Sequence, residues 1–290
     1  MQILTMVVGA GLASGSLYAL VALGLVLIYK AQAVINFSHG ELFMLGAFVG
    51  LTAYDNLHLP YAAAVILAVA CGALIGMAME RLIQPLLGSS LNSVVMATIG
   101  LSVTLKGIAR IPWGADIYSF PPIFGIAPVS LGGFLFSPQN VVIIFASLAL
   151  MALFFAFFAY TSLGKQMRAT SQNPTGARIV GINVGRTYAT IWGFAAATGA
   201  GAGILGAPIT LLYPEMGSKI LIKAFAATVL GGMTSLPGAV VGGLTMGVFE
   251  NLIGFYVTTS LMDVSAFFVI VAVLLLRPRG IFGTKSAERV

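Results

Sequence analysis

Charge is what this sequence has least of: eight acids and fourteen bases make up only 8% of its 290 residues, while 59% are hydrophobic. A soluble domain carries roughly a quarter of its residues as Asp, Glu, Lys and Arg. So few charges cannot coat a globule of this size in water, so most of the surface must face lipid. Cysteine is nearly absent. The single Cys71 sits in an apolar run, which excludes an intrachain disulfide and a metal site built of thiolates. Histidine is limited to His39 and His58, and no His-Glu-x-x-His spacing occurs. Without a nucleophile, a base and an orienting group in reach of one another, no catalytic set is visible, and the chain is expected not to be an enzyme. A phosphate-binding loop is missing too. Its nearest imitation, Leu163-Gly164-Lys165-Gln166, lacks the earlier glycine and the following hydroxyl. The chain is therefore expected to bind no cofactor of its own, and any ATP-driven step needs another chain.

The net charge of +6 does not point to nucleic acid, because the bases stand at the ends of apolar segments rather than on one face. They read as topology signals and contacts to lipid headgroups. Apolar windows place membrane segments near 3 to 29, 34 to 54, 60 to 80, 91 to 109, 139 to 161, 187 to 213, 219 to 234, 237 to 257 and 263 to 276. The expected fold is an all-α, polytopic transmembrane helix bundle of about 8 to 9 segments in a single membrane domain, 1–290. Two windows stand apart. The one at 34 to 54 opens with the polar run INFSHGE, and the one at 219 to 234 is short, contains Lys223 and ends in Gly231-Gly232. Either can be broken or re-entrant, which a bilayer tolerates where the backbone is buried in protein or lines a wet cavity.

Lys30, Arg81, the group Lys165, Arg168, Arg178 and Arg186, and the tail residues Arg277, Arg279, Lys285 and Arg289 fall on one side if every segment crosses. That side is expected to be cytoplasmic, with the amino terminus outside and the carboxyl terminus inside. Lys106 and Arg110 are exceptions near the outer end of their span, where long side chains can snorkel to the interface. An outer loop at about 110–138, with Pro112, Pro121, Pro122, Pro128, Gly132 and Gly133, reads as an irregular cap. Glycines recur within the apolar windows at spacings that suit close helix packing, as in Gly9, Gly11 and Gly15, or Gly238, Gly242, Gly243 and Gly247.

Asn36, Ser38, His39 and Glu41 are the least expected residues, since ionisable groups at membrane depth are costly and usually face a cavity or a partner. They are the candidate solute path. Equally, Asn36 or Ser38 could cap a helix whose positive start lies near Glu41. One histidine and one carboxylate offer too few ligands for a metal. Glu80 and Glu250 are isolated acids that can pair with a nearby base such as Arg81 or stay at the interface.

The most polar stretch, about 162–186, lies on the expected cytoplasmic side. Asn173 before Pro174 gives a helix start, with the asparagine as cap and proline at the first position. Thr175, Gly176, Ala177, Arg178, Ile179 and Val180 continue the turn; Gly181 can stop it before Ile182 and Asn183. A short helix held between two spans suits a groove on a soluble partner; a solvated loop carrying topology charges is the other reading.

Several stretches together resemble the permease subunits of branched-chain amino-acid type ABC importers, the LivH class. They are GLASGSLYALVALGLVLIYKAQAVINFSHGELFMLGAF, GKQMRATSQNPTGARIVGIN, KAFAATVLGGMTSLPGAVVGG and LLLRPRGIFG, in order and over most of the chain. The resemblance implies an ABC importer permease architecture working by alternating access in the bacterial or archaeal cytoplasmic (inner) membrane. It implies a second related permease subunit and two cytoplasmic ATP-binding subunits that use ATP and Mg. A periplasmic or extracellular solute-binding protein would deliver branched-chain amino acids or a related small polar solute. The coupling helix would map onto Asn173 to Asn183, where this sequence has Thr175-Gly176-Ala177 in place of the Glu-Ala-Ala of many permeases. A self-sufficient channel or secondary carrier, for a solute such as urea or an amide, is the competing expectation from a different class.

Overall fold

A computed structural model describes residues 2–86, 90–121, 123, 129–131 and 134–283. Apolar runs between polar caps and prolines become helices. They are α1 (Gln2–Gln32), α2 (His39–Leu51), α3 (Tyr61–Ile83), α4 (Leu91–Trp113), α5 (Pro138–Tyr160), α6 (Ser162–Gln172), α7 (Pro174–Ile179), α8 (Val184–Gly206), α9 (Met216–Gly231), α10 (Leu236–Tyr256) and α11 (Ser260–Leu276). Their starts are written locally. Ser90, Thr161, Asn173, Asn183 and Ser235 each accept a hydrogen bond from a backbone N–H of the first turn, and α5, α7 and α10 carry proline at the first or second position. A π-helical turn, Thr52–Asn56, extends α2. Strands β1 (Tyr118–Ser119), β2 (Val129–Leu131), β3 (Phe134–Phe136) and β4 (Leu211–Leu212) are short, with β1 antiparallel to β4 and β2 to β3.

Among the described residues six helices are long and apolar enough to cross a bilayer, and α11 is a shorter apolar one. The expected eight or nine segments are thus not all found as spans. The three windows beyond these six fall on α2, α9 and α11: at 13, 16 and 17 residues they reach about 20, 24 and 26 Å, short of a hydrocarbon core about 30 Å thick. An apolar window registers a helix wrapped in protein as readily as one facing lipid. Twelve of the 13 residues of α2 are buried.

Helices α1 and α8 form the centre: 89% and 83% of their most apolar stretch is buried, against 28% in α3, α4 and α5. Small residues make this density possible. Gly11, Gly15 and Ala19 of α1 meet Gly243, Gly247 and Val248 of α10 in an antiparallel seam, and Gly72 and Gly76 of α3 lie on Ala196 and Ala200 of α8. With helices alternating in direction, the described basic residues Lys30, Arg81, Lys165, Arg168, Arg178, Arg186, Arg277 and Arg279 gather at one end of the bundle. Trp192 Nε1–H donates to Gln32 Oε1 (2.6 Å), tying the end of α1 to α8 there, and Ile281 N–H donates to the Leu230 carbonyl. Lys285 and Arg289, and Pro122, Pro128, Gly132 and Gly133 of the expected outer cap, lie outside the described residues.

Candidate functional site

After α1 the chain turns back without helix through residues 33–38 and restarts at His39 in the bundle interior. The restart is folded by Asn36, whose Oδ1 accepts from Ser38 N–H (3.0 Å) and Ser38 Oγ–H (2.6 Å). Ser38 occupies the cap position, but its side chain makes no bond to the first turn. The His39 ring is packed against Gly24 of α1 and Gly199 of α8, and neither ring nitrogen has a well-formed hydrogen bond. Asn36, Ser38, His39 and Glu41 are all 1% exposed or less, so the four are brought together but enclosed in this conformation.

Opposite this restart stands the start of α9. Helix α2 runs alongside α8 and α9 runs against α10, so the two short helices point their amino-terminal ends at each other, and Gly40 touches Gly217. Each end carries partial positive charge, and the Glu41 carboxylate lies between them. Its Oε1 accepts from Ser102 Oγ–H (2.9 Å) on α4 and from Ser218 Oγ–H (3.4 Å) on α9, with Lys106 Nζ at 3.5 Å. Lys106 Nζ also donates to Ser218 Oγ (2.7 Å). Glu41 Oε2 has no hydrogen-bond partner, and a Cβ on Gly217 would stand 2.5 Å from it and 2.6 Å from the Gly40 carbonyl oxygen, so this backbone contact needs glycine. An unsatisfied, fully buried carboxyl oxygen is costly, and two helix ends and one ammonium are the groups in reach of it.

A second polar group adjoins it. Lys223 Nζ is 2.5 Å from Glu250 Oε1 and 3.2 Å from Asp263 Oδ1, with the Tyr18 ring 5.9 Å away; Lys219 pairs with Asp263 (3.3 Å), and Arg110 with Glu215. Lys106 and Arg110 each pair with an acid of the same bundle, Glu41 of α2 and Glu215 just before α9. Glu250 has its base on α9. Glu80 is buried, and among the described residues it has no ion-pair partner, so of its two expected roles the pairing with Arg81 is not formed. Sequence reasoning missed Ser102, Ser218, Lys219 and Asp263. The spacing of Glu215, Lys219 and Lys223, each four apart, was the signal that could have found part of this group.

At the basic end, α7 begins at Pro174, and Asn173 Oδ1 accepts from Gly176 N–H (2.9 Å). Ala177 is its buried contact, while Ile179 and Val180 are 81% and 74% exposed. Gly181 ends the turn at φ +84°, a left-handed backbone that favours glycine, and Asn183 Oδ1 accepts from Arg186 N–H (3.0 Å) to start α8. Thr175, Arg178 and Ile182 complete the loop between α6 and α8. A cavity of about 550 Å³ lies beside it, lined by Leu163, Met167, Gly181, Ile182, Asn183 and Arg186. A second, of about 450 Å³, lies between Glu80, Arg81 and Gln84 of the α3 end and Arg186. Among the described residues no three His, Cys, Asp or Glu side chains are grouped as a metal site.

Comparison with known proteins gives a consistent result. Residues 7–276 match the family model described as "Branched-chain amino acid transport system / permease component". The chain is 32% identical over 295 residues to the high-affinity branched-chain amino acid transport system permease protein LivH of Salmonella typhimurium, covering 97% of this chain and 96% of that protein. It is 31% identical to BraD of Pseudomonas aeruginosa, covering 97% and 96%. A probable LivH of Methanocaldococcus jannaschii is 30% identical, covering 96% and 92%. Among solved structures, a chain of PsaBC from Streptococcus pneumoniae in complex with Fab aligns over 93% of this chain and 91% of its own, with a TM-score of 0.51 at 14% identity, a likeness of fold alone.

Proposed function

The chain belongs to the permease-component family of branched-chain amino acid transport systems, and from that membership we propose that it is the translocating subunit of an ATP-binding-cassette importer for branched-chain amino acids or a closely related small polar solute. It lacks an ATPase motif of its own. Two cytoplasmic ATP-binding subunits supply the work, using ATP and Mg, a second related permease completes the membrane unit, and a solute-binding protein delivers from outside. The membrane is the bacterial or archaeal cytoplasmic one, with the basic end of the bundle inward, the amino terminus outside and the carboxyl terminus in the cytoplasm.

The observation that carries this reading is α7. A helix of six residues stands off the basic end with two aliphatic side chains uncovered, Ile179 and Val180. Exposed apolar residues at the tip of a capped, glycine-stopped turn beside a cavity are a docking knob for a soluble partner. The segment Asn173 to Asn183 leads directly into α8, the central helix on which α2 packs. Closure of the ATPases pushes α7, α8 shifts, and the junction at Asn36, Ser38, His39 and Glu41 opens to one side and then the other. A self-sufficient channel or carrier has no observation in its favour.

The test is to purify the tagged chain gently from its native membrane. A second permease and ATPases should come with it in fixed ratio. Ile179→Asp should reduce ATPase recovery and uptake at least tenfold at an unchanged level of the chain in the membrane. A chain that purifies alone and moves solute in liposomes would sink the importer reading.

A further inference from the structure

All ion pairs among the described residues lie in one region, around α9. Glu215, Lys219 and Lys223 are four residues apart, hence on one face of the helix. The pairs grade from open to closed. Arg110 with Glu215 is 51% and 50% exposed and Lys219 with Asp263 is 59% and 58%, but Lys223 with Glu250 is 13% and 2%. Glu250 lies six residues inside the end of α10, about 9 Å deep at 1.5 Å per residue. Ion pairs held at headgroup level would explain the open members and not this inward continuation. The strip begins at the end of the bundle away from the basic cluster and leads, through Ser218, to the Glu41 junction.

Exposed charges on the side of a membrane bundle cannot face hydrocarbon; they face water, a partner or a polar solute. Neighbouring exposed side chains on α11, Val264 (49%) and Phe267 (53%), are apolar. We infer that this strip is the wall of the solute passage. A zwitterionic amino acid takes the place of the Lys219–Asp263 pair, its carboxylate on Lys219 and its ammonium on Asp263, while its apolar side chain lies on α11. The second permease closes the passage against lipid. Such an exchange keeps the net charge of the strip unchanged, so a zwitterion can enter where a simple anion or cation would leave one charge unpaired. The inference rests on the importer reading and names the surface that reading uses.

The assembled transporter, reconstituted with the native Cys71 changed to Ser, tests it. Lys219→Cys should react with a charged, membrane-impermeant methanethiosulfonate at least tenfold faster than Phe145→Cys, a 68% exposed position within α5 on the opposite, apolar flank. L-leucine with its binding protein should slow that reaction at least threefold. Lys219→Gln and Asp263→Asn should each raise the KM for leucine uptake at least fivefold with complex recovery unchanged, whereas a purely structural pair would lower recovery and leave KM alone. Labelling no faster than at Phe145→Cys, or equally fast with and without leucine, overturns the inference. Loss of the ATPases on purification overturns the importer reading instead, so the two failures are distinct.

Discussion

Two flanks of the bundle cover the same central helices with opposite surfaces. Where α3 and α5 lie beside each other on α8, the exposed side chains are apolar, including Ile66 (70%), Leu74 (64%), Phe145 (68%) and Leu153 (66%). Where α9 lies between α4 and α11, the exposed side chains include Arg110, Glu215, Lys219 and Asp263. Behind the first flank the packing is apolar and dense, whereas behind the second lie the buried Lys223–Glu250 pair and the Glu41 junction. The outer surfaces report on what each flank meets: one suits hydrocarbon, and the other does not.

The largest effect is expected from breaking the buried end of the charged flank. Glu250→Leu leaves the Lys223 ammonium enclosed without its closest acid, a loss of about 3–5 kcal/mol that should appear as a lower thermal midpoint of the detergent-purified protein. Adding Lys223→Leu should recover most of it, since replacing both members of a buried pair by apolar groups is close to neutral. A double variant no more stable than the single would show that the strip is held by something other than pairing. Next comes the apolar flank. Leu148, midway along α5 and 42% exposed, should reject a charge: Leu148→Lys is expected to cost about 2.5–3.5 kcal/mol on insertion scales, read as reduced membrane integration. Normal integration of that variant would mean that the flank meets protein or water, and the contrast would collapse.

Much of this was legible in the sequence. The scarcity of charge gave the membrane class, Asn173 and Pro174 gave the start of α7, and the polar run from Asn36 to Glu41 marked a segment that could be broken. Pairing was not legible. Glu41 is 61 residues from Ser102 and 177 from Ser218, and no local pattern reveals that two short helices point their starts at each other. The same limit left the number of spans open. Windows at 34 to 54 and 219 to 234 are apolar because they are buried in protein, and hydropathy does not distinguish that solvent from lipid. The helix α6 was hidden for the opposite reason: Lys165, Gln166 and Arg168 make it polar enough to read as loop.

The smallest expected effect is the most telling about the outer mouth of the strip. Arg110 and Glu215 are each about half exposed, and an exposed pair contributes about 0–1 kcal/mol. Arg110→Gln should therefore leave the thermal midpoint within error of the parent. Its consequence belongs to encounter. If the mouth is open to water, the guanidinium acts through solution on the carboxylate end of a zwitterion released there by the binding protein, and added salt screens that action over a Debye length of about 8 Å at 0.15 M. Uptake by the parent should then fall as ionic strength rises from 0.02 to about 0.3 M, and uptake by Arg110→Gln should fall less. Two parallel salt profiles would mean that Arg110 faces no water on the path of the solute, and that the charged flank is sealed at its outer end by a partner.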